Sequence, residues 1–521
     1  MSKKTFKAPG IYIEEVAAFP NSVAQVETAI PAFIGYTPRA ERNGNDCSFV
    51  PTKITSFIEF ERFFCFPDGP EPFQQYSPQY YLVRQNSKPK EGDFILIGSE
   101  YYSILPDAST IYYLYNSIKL FYQNGGGKAY IVSVGGYGKA SGAALDIGDP
   151  LVNPNVQLAD LLKGLTALET EEEPTMYICP EATLLSSAEN GTLMQNMLLQ
   201  NNEMQTAISI FDVIGGNREN PSGNNVDIET FRNNTGTTGL NYGAAYYPFL
   251  GTTIMGNRDL NYTNLFGGDV RALATVFNSI QPPEESSLEL LKSIYNSETS
   301  ESISENHRKL LYISTVYKNI ISAVLQIANI LPASGGMAGV MTMVDNTRGV
   351  WKAPANVSIA GVASLPIKIN QAEQENLNVD AVSGKSINAI RNFPGRGVLV
   401  WGARTLDGNS NDWRYINVRR TMINIEQSCK KACLNFVFEP NDANTWVRIQ
   451  WMIENFLNNL WRQGALAGST PRDAYFVKCG LGLTMTQDDI LNGRLIVNLG
   501  VCLTRPAEFI IITFSQQMAS S

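Results

Sequence analysis

Apolar positions along this chain fall into two spacings that take turns. An alternating pattern predicts a strand at residues 10–16 (Gly-Ile-Tyr-Ile-Glu-Glu-Val), directly after Pro9. It stands alone: Ala17 to Gln25 is small and polar, and the next apolar run is Ala29 to Tyr36. Residues 47–105 are rich in aromatics and proline, with a short strand expected at 93–98. A helical spacing covers 110–123 and ends at Asn124-Gly125-Gly126-Gly127, because glycine at a helix C-terminus tolerates positive φ. A strand at 129–134 is followed by helix 157–168, strand 175–179, helix 187–203, strand 207–213 and strand 243–250. Strands alternating with helices predict βαβ units and a mainly parallel sheet.

The later part of the chain is more strongly periodic. A strand is expected at 397–401, then a helix at 415–433 that turns Ile416, Met422, Ile425, Cys429 and Cys433 inward. A strand at 434–438 precedes a helix at 443–463 carrying Trp446, Ile449, Ile453, Phe456, Leu457 and Leu460 on one face. Strands follow near 474–478, 495–503 and 508–514. Residues 281–308 are acidic and Ser-rich and read as an exposed, partly helical excursion. Asn319 to Val344 carries no charge, but Gln326, Asn329, Pro332 and Gly335-Gly336 interrupt it. It reads as a buried helix, a turn and a strand rather than a membrane span. The fold class is mixed α/β, and 521 residues predict more than one domain.

Composition narrows the function. Hydrophobic residues make up 44% and charged residues 17%, a folded globular balance. The net charge is −9 and the arginines are scattered apart from Arg419-Arg420, which disfavours nucleic acid as a partner. Seven irregularly spaced cysteines fit a reducing compartment during folding. Cys429 and Cys433 lie four apart, yet the single histidine, His307, leaves a metal site without companions, so no metal and no cofactor are expected. The opening Met1-Ser-Lys-Lys-Thr-Phe-Lys lacks the apolar stretch of a secretory signal.

Three features imitate active sites. Asn124-Gly-Gly-Gly-Lys128 has the composition of a phosphate loop, but the order is helix, glycines, strand, the reverse of what amides aimed at phosphate require. Gly135-Gly-Tyr-Gly-Lys-Ala-Ser-Gly142 follows a strand but places Ser141 where a dinucleotide fingerprint has its third glycine. Glu181 and Asp212 sit near strand ends, where an α/β hydrolase would carry catalytic carboxylates. No nucleophile elbow accompanies them, and helix caps or turns are the better account of both acids.

Several phrases together resemble the contractile tail sheath family: Ala8-Pro-Gly-Ile-Tyr-Ile-Glu-Glu-Val16, Val26-Glu-Thr-Ala-Ile-Pro-Ala-Phe-Ile-Gly-Tyr36, the Asn124-Gly-Gly turn, and Arg348-Gly-Val-Trp-Lys-Ala-Pro-Ala-Asn356. Pro394 to Leu406, Asp412 to Arg420, Phe438-Glu-Pro-Asn-Asp442, Leu460 to Gly468, Arg494-Leu-Ile-Val and Arg505-Pro-Ala-Glu-Phe-Ile continue the likeness in order. Phe19 to Thr37 is most similar to sheaths of extracellular, phage-derived injection systems.

The resemblance implies a structural subunit, not an enzyme: stacked rings around an inner tube, whose contraction drives the tube through a target envelope. It implies a core sheath domain built from both chain ends, with an inserted α/β domain displayed outward. The expected division is 1–22 (extension strand and linker), 23–139 (first part of the core region), 140–345 (outer middle domain), 346–505 (C-terminal core domain) and 506–521 (C-terminal extension strand). Partners implied are further copies of the chain, an inner tube protein, and baseplate and terminal cap proteins, without nucleic acid or membrane insertion. Whether sister sheath proteins share the particle stays open. Assembly is expected in the bacterial cytoplasm, followed by residence in a released or cell-anchored tail-like particle, or in a virion tail.

A strand without a local partner is a liability unless it pairs elsewhere. Family likeness assigns Ile11, Tyr12 and Ile13, and Phe509, Ile510, Ile511 and Ile512, to ladders with neighbouring subunits; the alternative is that both strands complete their own subunit's sheet, which stays open above all for Phe509 to Phe514. Ala17, Ala18, Phe19, Pro20, Asn21 and Ser22 are then the linker. Within Asn458 to Asp473, which follows the long helix, Arg462, Gln463 and Arg472 either contact the tube or belong to a loop that only braces the domain.

Overall fold

The structure, a computed structural model, describes residues 23–66, 76–89, 92–220, 223, 225–280, 284–296 and 301–511. Its main sheet is built from β1 (Pro31–Gly35), β2 (Thr52–Ile54), β3 (Ala129–Ser133), β4 (Met176–Ile178), β5 (Ile208–Asp212), β6 (Gly243–Tyr247), β7 (Val357–Ser358), β8 (Asn388–Phe393) and β9 (Gly397–Val400). These form one nine-stranded sheet in the order β7-β9-β8-β6-β5-β4-β1-β3-β2. The run from β3 through β1, β4, β5 and β6 to β8 is parallel, and β2, β9 and β7 join antiparallel at the edges. Phe33 stands beside Ile131 on one side and Ile178 on the other. Every residue of β1, β3, β4, β5 and β6 is buried, as a parallel sheet covered on both faces requires.

Helices α1 (Leu114–Gln123), α2 (Leu158–Ala167) and α3 (Ser187–Met204) match the expected helical spacings closely. Ser186 starts α3 with a capping box, its side chain accepting from Glu189 N–H while the Glu189 carboxylate answers the Ser186 backbone. The helix expected from 110 begins only at Leu114, after a short turn at Ala108–Thr110. The strand expected before Val344 is instead α4 (Ser334–Arg348). Its glycines are not a turn signal. A Cβ on Gly335 would stand 2.6 Å from the Ser117 carbonyl, and one on Gly339 would stand 2.7 Å from the Phe121 carbonyl. The small residues let α4 lie close against α1. Asp345 near the end of α4 makes a buried ion pair with Arg420 (2.7 Å).

The acidic stretch expected as an excursion holds helices Glu285–Tyr295 and Ile303–Ile313, whose Leu288, Leu291 and Leu310 are buried. Helix Thr315–Ala328 buries Tyr317, Ile320, Ile321 and Val324. Among the described residues no single helix is long and apolar enough to cross a membrane.

Compactness divides the described chain into two units: Glu27–Ile423 with residues 505–511, and residues 23–26 with Asn424–Thr504. The expected boundaries at 139/140 and 345/346 do not fall between sheets. Strands β1–β3, β4–β6 and β7–β9 come from three of the expected segments and share one ladder, because parallel neighbours are reached by long crossovers.

In the smaller unit, residues 23–26 are held by α5 (Ile416–Cys433), whose later turns lie in that unit. Gln25 Nε2 donates to Asn424 Oδ1 (2.9 Å), Val26 N–H to Ser428 Oγ (3.0 Å), and Asn424 Nδ2 to the Val26 carbonyl (2.8 Å). The unit continues with α6 (Ala443–Arg462), β10 (Tyr475–Cys479) and β11 (Val497–Val501). A strand at 434–438 does not form. Leu434–Phe436 is a 3-10 turn, and Phe438 has φ +69°, which breaks any extended run.

Candidate assembly site

The two carboxylates at strand ends are structural caps. In this sheet β3 and β4 follow β1 in the chain and lie on opposite sides of it, so the C-terminal edge of β1 is a topological switch point, where open α/β sheets usually bind ligands. Here that place is filled. Glu181 is fully buried, and its Oε1 accepts from the Leu114 amide at the start of α1 (2.8 Å). A Cβ on Gly35, the last residue of β1, would run into this carboxylate, so glycine there makes room for Glu181. Tyr112 and Tyr137 stack at 4.3 Å, and Tyr36 OH donates to Asp160 (2.9 Å). Burial pushes the Glu181 carboxyl up to about 8, despite the Leu114 amide.

Asp212 ends β5 and caps α4, accepting from the amides of Ala333 (2.7 Å) and Ser334 (3.0 Å). Burial lifts it to about 6, partly opposed by those donors. A cleft of about 240 Å³ beside it is lined by Tyr113, Thr183, Arg218 and Asp227, but Arg218 already donates to the carbonyls of Gly148 (3.1 Å) and Asp149 (2.8 Å).

The smaller unit offers a different kind of surface. Asp442 caps α6 by accepting from Thr445 N–H (3.0 Å), and Trp446 Nε1 donates to Asn441 Oδ1 (2.7 Å). Helix α6 buries Ile449, Met452, Ile453, Phe456, Leu457 and Leu460 and packs on β10. Beyond it the chain turns at Gly464 (φ +86°), and a Thr470–Asp473 capping box leads into β10. Arg462, Gln463 and Arg472 are all exposed along this connection. Strands β10 and β11 form a two-stranded antiparallel ribbon, with Tyr475 opposite Val501 and Cys479 opposite Val497. Neither outer edge pairs with another strand among the described residues. An open edge of this kind is a template for strand addition.

The expected extension strands are placed only in part. Ile11, Tyr12, Ile13 and the linker Ala17 to Ser22 lie outside the described residues, as does Ile512. Phe509, Ile510 and Ile511 are 70%, 81% and 89% exposed and join no ladder. The strand expected at 508–514 therefore does not form within its own unit over the described part.

Sequence reasoning missed what anchors that segment. Arg404 and Glu508 each lie in a family-like phrase, and nothing in either phrase says that they meet. Glu508 accepts from Arg404 Nη2 (2.6 Å), Arg404 Nε (2.9 Å), Asn378 Nδ2 (2.7 Å) and Tyr415 OH (3.1 Å).

The family described as the phage tail sheath protein central domain matches residues 287–406, and the phage tail sheath C-terminal domain matches 409–517. The tail sheath protein of Vibrio phage KVP40 is 27% identical over 139 residues, 26% of this chain and 20% of that protein. That of Burkholderia phage BcepMu is 24% identical over 180 residues, 34% of this chain and 36% of its own. The matched part is thus well under two thirds of those relatives' length. Solved structures align much further. The contracted sheath complex of PVC, an extracellular contractile injection system, is 25% identical, with a TM-score of 0.58 and 99% of both chains covered. The contracted helical sheath of the anti-feeding prophage is 27% identical, with a TM-score of 0.57, covering 98% of this chain and 100% of that one. Ordered motifs, both domain families and end-to-end likeness to solved sheaths agree: residues 287–406 and 409–517 carry the two phage tail sheath domains, and nearly the whole chain is similar to solved contractile sheaths.

Proposed function

We propose that this chain is the sheath subunit of a contractile injection particle, polymerising as stacked rings around an inner tube and contracting to drive the tube through a target envelope. The observation that carries the reading is the alignment of 98–99% of the chain with sheaths solved in the contracted state. The ribbon β10–β11, whose outer edges meet no other strand among the described residues, supports it, because such edges can accept strands from neighbouring copies.

In this reading residues 10–16 and 509–514 add to ribbons of neighbouring copies. Residues 17–22 are the tether, and the connection carrying Arg462, Gln463 and Arg472 faces the tube. Residues 140–345, within the larger unit, point outward. Partners are further copies, a tube protein, a baseplate and a terminal cap. Assembly takes place in the bacterial cytoplasm and the finished particle is released or anchored. The work of contraction comes from a metastable packing formed at assembly and exchanged for a second set of interfaces. A few kcal/mol per subunit, small beside the roughly 5–15 kcal/mol stability of a single domain, is enough once many copies add together. Electron microscopy of the purified protein tests this: hollow, striated cylinders are expected, and small monodisperse particles at every concentration would overturn it.

A further inference from the structure

The carboxylate of Glu508 is the most heavily engaged acceptor near the C-terminal end of the described chain. Its side chain is 20% exposed and its partner Arg404 only 4%. Donors converge on it from three distant places: Asn378, Arg404 and Tyr415. Arg404 is itself fixed. Its backbone N–H donates to Asn388 Oδ1 (2.7 Å), while Asn388 Nδ2 donates to the Arg404 carbonyl (2.8 Å) and to the Ala245 carbonyl of β6 (3.0 Å). Asn388 begins β8. Glu508 is therefore bolted through one arginine and one asparagine to the parallel sheet. Burial works against its charge, but donation from Arg404 and Asn378 outweighs burial and holds the carboxyl below the usual glutamate range.

Immediately after this fixed point the side chains are solvent-facing and apolar. Arg505, three residues earlier, makes a surface pairing with Asp412 at 3.8 Å, a geometry of little strength. The order of features is a rigid anchor followed by an uncovered, strand-prone run. A run such as Phe509–Phe514 reaches on the order of 20 Å when extended. Over so short a reach, the direction in which the first residue leaves its anchor decides which surfaces the run can meet. Holding it also raises its effective concentration at one target.

We propose that the Glu508–Arg404 clamp is the positioning root of a tie between copies: it aims the C-terminal extension at a second copy of this chain and must stay closed for polymers to form. This rests on the sheath reading, and the experiment separates the two. Polymer formation is measured by sedimentation across protein concentration for wild type, Glu508→Gln, a truncation that removes 509–521, and the two changes combined. Circular dichroism reports whether each subunit folds. Glu508→Gln is expected to fold and to raise the concentration needed for assembly by about tenfold or more. The truncation is expected to do at least as much, and the combined variant no more than the truncation alone, because the clamp acts only through the segment it aims.

Wild-type assembly by Glu508→Gln overturns the proposal, and so does a combined variant whose losses add, since a merely bracing role predicts addition. If Glu508→Gln is insoluble, Tyr415→Phe decides. It keeps the ion pair and removes one donor, and is expected to raise the assembly concentration about threefold; no change overturns the proposal. Absence of polymers from wild type at any concentration instead strikes the sheath reading itself.

Discussion

At neutral pH the Glu181 carboxyl is protonated, because burial pushes it up to about 8 and its Oε2 has no hydrogen-bond partner. The sign of the consequence follows from linkage. The folded state holds a proton that the unfolded state releases above the ordinary glutamate range, so this group favours folding at low pH. That contribution is lost as pH rises toward 8, by at most about 1.4 kcal/mol per pH unit. Asp212 titrates lower, near about 6, and His307, held below its ordinary range by burial, works with the opposite sign near pH 6.5, so it is the difference between wild type and Glu181→Gln from pH 6.5 to 8 that reports Glu181. Urea unfolding of the subunit is expected to show stability falling across that interval in wild type and a shallower fall in Glu181→Gln. Equal slopes would mean that Glu181 is ionised in the fold. The exposed Arg472 gives the opposite kind of test. Arg472→Glu is expected to leave the unfolding midpoint within about 0.5 kcal/mol of wild type while lowering the yield of sheath on tubes. Unchanged particle counts would remove it from the tube-facing surface. Glu181 and Asp212 were visible in the sequence as strand-end acids. Their roles were not, because each is defined by an amide far along the chain, at Leu114 and at Ala333.

Helical and strand periodicity carried well wherever one face meets a core, as in α2, α3, α5 and α6. It failed where packing distance set the residue choice. Gly335 and Gly336 read as a turn, yet the close approach of α4 to α1 is what demands a missing side chain. Gly335→Ala is expected to cost about 1–3 kcal/mol, because its Cβ would meet the Ser117 backbone at 2.6 Å and backbone cannot swing aside. Gly127→Ala, with nothing within 4 Å, is expected to be nearly silent. Thermal melts of the two variants compare them directly, and equal midpoints would show that the helix pair opens at little cost. The turn at 434–438 failed for a related reason: Leu434, Val437 and Phe438 look like strand residues, but they are exposed, so no core enforces their alternation.

For the whole molecule, the sequence conveyed the βαβ logic but not the extent of the sheet, since β8 and β9 join β6 only after more than a hundred intervening residues. Family likeness supplied what periodicity cannot, a reason for the lone strand expected at 10–16, which lies outside the described residues. If residues 10–16 add to a neighbour, Ala17 to Ser22 is a tether that reaches on the order of 20 Å. Inserting three residues after Phe19 adds roughly 10 Å of slack. That variant is expected to assemble as an extended sheath and contract poorly, whereas removing residues 1–16 is expected to prevent ordered assembly. Wild-type contraction by the insertion variant, scored by electron microscopy after a contraction stimulus, would reduce the first strand to a static clip.

The ribbon β10–β11 has a last consequence. If each copy donates strands to a neighbour, as proposed above, it covers that neighbour's edges and arrives with a bare pair of its own. The end of a growing stack is therefore chemically the same after every addition, and nothing in the subunit counts. Head-to-tail contacts that run along a stack, with no rotation to close them into a ring, extend without a built-in end. A machine of defined length built from this chain has to take its measure from something else: a ruler running inside the stack, or a stopper that seats on the final ribbon and leaves no edge behind.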